Sequence, residues 1–326
     1  MLCIYSPETN PAFNIASEEY LMKNIDQDVF LLYINGPSII VGKHQNTLSE
    51  INVDYVKENN IEIVRRLSGG GAVFHDQGNL NFAFIKKGED TNLVDFQKFT
   101  IPILDVLRKL DINAKFEGRN DLTIEGKKFS GNAEHVYKNK VLHHGTLLFS
   151  SKMEDLGKAL NVNPRKFKDK AVKSVKSRVT NIKEHLQKDM SVDEFAEMLM
   201  QDIMQTEPES KRYEYTEADQ EAIQSLVEQK YGTWEWNFGY SPKYNFSRYT
   251  TTQGGHIEVN LDVIDGVINN VKFFGDFFSS KDIGEIEDAL KGIQHNEVKI
   301  RKQLEDFNIS QYFNKVTLDE LVGCLF

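Results

Sequence analysis

Cysteine is nearly missing from this chain: 326 residues contain two, Cys3 and Cys324, one near each end. That scarcity argues against a disulfide framework, and the two thiols have no metal-ligand spacing. Reduced thiols in a cytoplasmic protein are the expected state. Long apolar runs are missing too. VFLLYI and SIIV are far too short to span a bilayer, and MLCIYSPETN lacks the basic and apolar regions of a signal peptide. Positive charge is in deficit, and the net charge of -10 argues against general binding to nucleic acid or an anionic membrane. An anionic ligand would have to be met by a local basic cluster. There is also no internal repeat and no low-complexity tract.

What remains is a chain with 40% hydrophobic and 27% charged residues, suited to a substantial core. At roughly 100–200 residues per domain, one large domain and a smaller one are expected. Residues 29–34, 38–42, 61–66, 80–86, 121–125 and 141–149 read as strands, with helical patterns near 13–25 and 95–110. Their irregular order favours an α+β fold with a mixed sheet over a doubly wound one. Ser191 with Glu194 and Thr216 with Asp219 announce two helices. The turn-rich stretch NFGYSPKYNFSRY (237–249) reads as a linker. Beyond it, alternating Ile257, Val259, Leu261 and Val263 lead to an Asp265-Gly266 hairpin, and helices follow around 280–291, 296–307 and 317–323. The expected division is a domain over 1–240 and a small α+β domain over 241–326.

Four segments carry chemistry. RRLSGGGAVFHDQGN (65–79) has three glycines between strand-like runs, so it is neither a P-loop nor a dinucleotide loop, both of which open a helix. Glycine amides beside Arg65, Arg66 and Ser68 suit a carboxylate or phosphate. In GRNDLTIEGKKFSGNA (118–133), Asp121 could hold Mg²⁺, and Lys127 or Lys128 could hold an anion. In VLHHGTLLFS (141–150) the adjacent histidines face opposite sides of a strand, so at most one lines a given pocket. No third ligand at zinc spacing accompanies them. Residues 165–178 hold five lysines and two arginines against one aspartate, a local reversal of sign suited to closing over a polyanion.

Together and in this order, RRLSGGGAVFHDQGNLNFAF, GRNDLTIEGKKFSGNA, HHGTLL and KSVKSRVTN resemble the lipoate–protein ligases of the two-domain bacterial A type. The resemblance covers nearly the whole chain. It implies a mixed-sheet catalytic domain like that of biotin and lipoate ligases, with a small accessory domain. The implied reaction joins lipoate to ATP as lipoyl-adenylate with release of pyrophosphate. The lipoyl group then passes to a lysine of an apo lipoyl domain, in the E2 subunits of 2-oxoacid dehydrogenases, or of the glycine-cleavage H protein. Lipoate and ATP would be the substrates and Mg²⁺ the metal.

Carried over by motif, Arg65, Arg66, Ser68, Gly69, Gly70 and Gly71 form a loop over lipoate and the adenylate. The lysine before x-Ser-Gly is Lys128, the catalytic candidate, followed by Ser130 and Gly131. Asn120 and Asp121 match the Asn-Asp near phosphate and Mg²⁺. His75, Asn79 and His144 match pocket positions, and Lys173, Ser174 and Arg178 match a mobile adenylate-binding loop. Tyr33 stands where some members carry tryptophan, which bears on the shape of the dithiolane pocket. An octanoyl or lipoyl transferase of the same superfamily is the nearest rival. Its cysteine route has no candidate, with Cys3 and Cys324 outside every motif, although a lysine route exists. A biotin ligase lacks support because no biotin loop is visible. A non-catalytic lipoate-binding homologue is disfavoured by the intact lysine, Asn-Asp pair and basic loop.

Overall fold

The structure is a computed structural model that describes residues 1–326 except 89–94, 119, 161–166, 170–177, 242 and 278, with backbone alone for 167–169. The chain divides into two compact units. The first takes Met1–Lys43, Val56–Leu160 and, from the described residues beyond, 178–233. The second takes His44–Tyr55, the strand Phe167–Asp169 and Trp234–Phe326.

In the first unit the chain runs through β1 (Leu2–Tyr5), α1 (Pro11–Asn24), β2 (Val29–Ile34) and β3 (Ser38–Val41). β4 (Glu62–Arg65), β5 (Val73–His75) and β6 (Asn79–Lys87) follow. β7 (Ala114–Glu117), β8 (Asp121–Ile124), β9 (Lys127–Tyr137) and β10 (Lys140–Leu148) complete the strands that carry the site. Among the described residues, an eight-stranded sheet orders Lys211–Arg212, β1, β2, β6, β10, β9, β8 and β7. Its first pairings are parallel and the rest antiparallel, so the sheet is mixed, as expected from the irregular strand order. Helix Phe96–Lys109 brings Phe99, Ile103 and Leu107 to a core that includes Phe30, Phe82 and Phe84, and helix Val192–Thr206 adds Phe195, Leu199 and Ile203. Both expected capping boxes, at Ser191/Glu194 and Thr216/Asp219, are formed.

α1 is a buried helix with an unusual content. Asn10 caps it by accepting from the Phe13 amide, and Pro11 opens its first turn. Yet Asn14, Ser17, Glu18 and Glu19 are all buried with its apolar residues. Burying such groups is costly unless each is hydrogen-bonded, so their partners locate where polar function has been built inside. A smaller three-stranded sheet, β4-β3-β5, pairs β3 in parallel with β4 and antiparallel with β5.

The second unit carries an antiparallel sheet in the order Phe167–Asp169, Tyr244–Thr252, Gly255–Ile264, Val267–Gly275. The expected linker over 237–249 is corrected here. A short helical turn spans Glu235–Gly239, and Tyr244–Thr252 is a full strand. Tyr244 and Phe246 alternate inward around exposed Asn245, a period-2 signal that the turn-forming residues before it obscured. The Asp265-Gly266 hairpin has both residues at positive φ, 50° and 72°, as its turn type requires. Among the described residues no helix is long and apolar enough to cross a membrane.

Buried His295 ties this unit together. Its Nδ1 accepts from the Tyr244 hydroxyl at 2.5 Å, and its Nε2 donates to the Leu325 carbonyl at 2.6 Å. Burial pushes its pKa from 6.5 down to about 4. The unfolded chain therefore binds the extra proton first, and stability falls as pH drops from about 6.5 toward 4. In urea unfolding between pH 7 and 5, His295→Gln should lose less stability with acid than wild type. The gap is limited to about 1.4 kcal/mol per pH unit. Parallel profiles would contradict the assignment.

Candidate active site

The glycine segment joins β4 to β5 across the end of β3, a strand-to-strand connection as expected. There it lies against Gly42, where a Cβ would sit 2.1 Å from the Gly70 carbonyl oxygen, so no other residue fits. Gly70 itself has φ +93°. Beneath the loop is the Arg66 guanidinium. Its Nη1 donates to the Ile40 carbonyl at 3.0 Å, and Nη2 donates to those of Gly69 at 2.7 Å and Gly71 at 2.9 Å. Its Nε donates to Ser68 Oγ at 3.0 Å. Arg65, fully buried, donates from Nη1 to the carbonyls of Gly42 and Lys43, both at 3.0 Å. Sequence reading set both arginines beside the ligand. Both side chains turn inward onto the protein's own carbonyls. Burial lowers the Arg66 pKa to about 10, opposed by nearby Glu18, so it stays cationic at neutral pH.

Ser68 Oγ lies 2.5 Å from His144 Nε2, and His144 Nδ1 lies 2.8 Å from Glu18 Oε2. Tyr33 donates its hydroxyl to Glu18 Oε1 at 3.0 Å, which accounts for its burial on β2. Burial first, then Glu18, pushes the Tyr33 hydroxyl well above its usual pKa. Serine, histidine and carboxylate stand in the order of a nucleophilic triad. Ser68 is 1% exposed, however, and Arg66 already donates to its oxygen, so the line acts as a clamp on the loop. Sequence reading missed Glu18; two adjacent acids in the apolar stretch IASEEYLM were the available signal. The neighbouring His143 faces the other way, with Nδ1 2.8 Å from Glu134 Oε1 and its ring stacked on Phe99.

His75, on β5, is buried with Nδ1 3.0 Å from Asn35 Nδ2. Burial, then Arg66 and His144, drives its pKa to about 3, so it is neutral at physiological pH. Asn79 donates from Nδ2 to Asn81 Oδ1 at 2.9 Å. Asp76 shapes the turn between them. Its Oδ1 accepts from the Gly78 amide at 2.9 Å and its Oδ2 from the Lys152 amide at 2.7 Å.

β8 and β9 form a hairpin through Glu125 and Gly126, both at positive φ. Lys128 is fixed on the far side by the backbone of Arg178 and Thr180. Its amide donates to the Arg178 carbonyl at 2.8 Å, and its carbonyl accepts from the Thr180 amide at 3.0 Å. Lys128 Nζ meets Asp121 Oδ1 at 2.8 Å, whereas Lys127 is exposed. The amine lies over Gly131, where a Cβ would come 2.8 Å from Nζ. The Gly131 amide donates to Thr146 Oγ1 at 3.2 Å. Asn120 donates to the Asn132 carbonyl at 2.5 Å, and Asn132 donates back to the Asn120 carbonyl at 3.0 Å and to buried Ser130 Oγ at 3.3 Å. Gly145 of HHGT leaves room for Asn132, whose Oδ1 would stand 2.3 Å from a Cβ there. The β9–β10 ladder pairs His144 with Ala133 and Gly145 with Asn132, so the lysine and histidine segments share one surface of strands. Arg178 is exposed, while Lys173 and Ser174 lie outside the described residues. Among the described residues no cluster of three His, Cys, Asp or Glu side chains could hold a metal by itself. Cys3 and Cys324 are both buried, with thiol pKa values raised chiefly by burial.

Residues 10–204 match the lipoyl protein ligase A/B catalytic domain, and residues 241–325 match the bacterial lipoate protein ligase C-terminus. The chain belongs to the lipoate–protein ligase family. It is 44% identical to lipoate–protein ligase 1 of Staphylococcus aureus, covering 96% of each chain. It is 42% identical to a lipoate–protein ligase of Bacillus subtilis over the full length of both. A solved lipoate–protein ligase A bound with ATP aligns at TM-score 0.63 and 27% identity, over 73% of this chain and 98% of that one. A Thermoplasma acidophilum bipartite lipoate–protein ligase, described with its E2 lipoyl domain, aligns at TM-score 0.63 and 27% identity, over 73% and 96%. The protein is thus an enzyme of the ATP-dependent ligase type.

The ligase's Gly131 supplies a test of the lysine geometry. Gly131→Ala should displace the flexible Lys128 amine at little cost to the fold. Ligase activity should fall at least about tenfold while stability changes by less than roughly 1 kcal/mol. Unchanged activity in a thermal-shift-normal variant would show that the amine is not held there for function.

Proposed function

We propose that the glycine loop, the Glu18–His144–Ser68 clamp and the Lys128–Asp121 pair form one site that joins lipoate to ATP. The observation that carries this reading is the Lys128 amine, held 2.8 Å from Asp121 and given its space by Gly131. A lipoate carboxylate oxygen attacks the α-phosphorus, the bond to the β-phosphate bridging oxygen breaks, and pyrophosphate leaves. Two anions meet in that step, so a fixed cation is required where charge gathers. Lys128 supplies it. The amine of an acceptor lysine then attacks the acyl carbonyl, AMP departs, and an amide is formed. No nucleophile from the enzyme takes part, and positioning supplies much of the rate.

Asp121 fits a Mg²⁺ role, because among the described residues the Lys128 pair uses one of its two oxygens and Mg²⁺ usually takes one or two carboxylates plus phosphate oxygens. Bound there, the ion would neutralise phosphate charge. Asn120 with Ser130 and Asn132 holds the hairpin in place beside it. His75, Asn79, Tyr33 and His144 belong to the acyl side, and Gly69 to Gly71 to the cover. Arg178, with Lys173 and Ser174, belongs to an adenylate-binding segment. The acceptors are lipoyl domains, including those of E2 subunits and the glycine-cleavage H protein. The T. acidophilum relative with its E2 lipoyl domain supports the first. The enzyme works in the cytoplasm, with a catalytic domain over 1–240 and an accessory domain over 241–326.

The experiment is lipoate-dependent pyrophosphate release with MgATP. Lys128→Ala should reduce it by roughly 10²–10³ with the fold intact, and Lys127→Ala should leave it near wild type. Equal effects of the two variants would remove Lys128 from its role.

A further inference from the structure

A line of buried amides leads from the protein surface to His75. Ser6, which lines an open recess of about 520 Å³, donates its hydroxyl to Asn14 Oδ1 at 2.8 Å. Asn14 Nδ2 donates to the Glu8 carbonyl at 2.8 Å and to Asn35 Oδ1 at 2.9 Å. Asn35 Nδ2 then faces His75 Nδ1 at 3.0 Å. Asn14 and Asn35 are fully buried, and Ser6 and His75 nearly so.

The direction of every link follows from the backbone carbonyls that face Asn14. Asn14 Nδ2 faces the backbone carbonyls of Glu8 at 2.8 Å and Ile34 at 3.5 Å, which can only accept, so it is the donor end of that amide. Its donation fixes Asn35 with oxygen toward Asn14 and nitrogen toward His75. An amide nitrogen has no lone pair to offer, so His75 Nδ1 must accept. With the ring neutral, its proton therefore resides on Nε2. Among the described residues, no acceptor lies within hydrogen-bonding reach of that buried Nε2. Leaving a buried donor unpaired costs about 1–3 kcal/mol, so such a group in a binding site is one that a ligand atom satisfies.

We infer that Asn35, oriented by Asn14 and Ser6, is a positioning residue that sets the His75 tautomer, so that Nε2–H is a preformed donor to an oxygen of the acyl substrate. The inference rests on the ligase reading for the identity of that substrate, but not for the tautomer itself. The chain orders the proton and does not conduct it. Asparagine amides neither take up nor release protons near neutral pH, and two of them interrupt any relay from the recess to the ring. Burial first, then Arg66 and His144, the charged and titratable groups that act on His75, lower its pKa and so keep the donor neutral.

The test is nitrogen-15 NMR of the histidine-labelled full chain at pH 7, with His75→Gln used to assign the signal. The expected spectrum shows Nε2 with a directly bonded proton and Nδ1 without one. Asn35→Asp offers Nδ1 an acceptor, so it should move the proton to Nδ1. It should also lower the kcat of lipoate-dependent pyrophosphate release at least about tenfold, with the KM for ATP little changed. A wild-type proton on Nδ1, or a tautomer indifferent to Asn35→Asp, would overturn the inference and leave the ligase reading standing. The expected tautomer with no lipoate-dependent pyrophosphate from wild type would overturn the substrate assignment instead.

Discussion

The Arg66 guanidinium beneath the glycine loop is the interaction on which the rest of the site depends. One planar group donates to Ile40, Gly69, Gly71 and Ser68, tying the end of β3 to both sides of the loop and to the clamp. A fork of fixed geometry can do this where an ammonium could not. With its guanidine nitrogens occupied by the protein, Arg66 contributes to anion binding mainly through the loop it shapes. The loop amides and Lys128 are left to meet the phosphate and carboxylate.

α1 completes that arrangement from the other side. Its Glu18 receives Tyr33 and holds His144, which meets Ser68, which in turn receives Arg66. One turn earlier, Asn14 orients Asn35 and through it His75. Two polar residues four apart on one buried helix thus reach the two histidines of the site. Each would destabilise the core if unpaired, and each has its partners. The binding surface is therefore set by groups that a ligand need never touch.

Legibility in the sequence followed the range of the interactions. The placement of VFLLYI in a strand, the two capping boxes and the glycine turn between strands depend on neighbours a few residues away, and all appear as expected. So does the opposite facing of His143 and His144. Tyr244–Thr252 was hidden because glycine, serine and proline just before it imitate a linker. Glu18 was hidden for a different reason: its histidine partner is 126 positions away. Asn35 stands before Gly36 and Pro37, a local context that gives no sign of an amide turned inward to His75. Local sequence displays the residues that build a site's outline more readily than those that orient it from behind.

The most direct measurement of this account is amide hydrogen exchange at Lys43 in the ligand-free chain, since that amide is held by the Ser68 carbonyl at 2.8 Å. If Arg66 presets the loop, Arg66→Lys should speed exchange at Lys43 by about tenfold or more while Phe82 and Phe84 in β6 keep their protection. Unchanged exchange at Lys43 in the variant would contradict the claim that the buried guanidinium holds the loop in place.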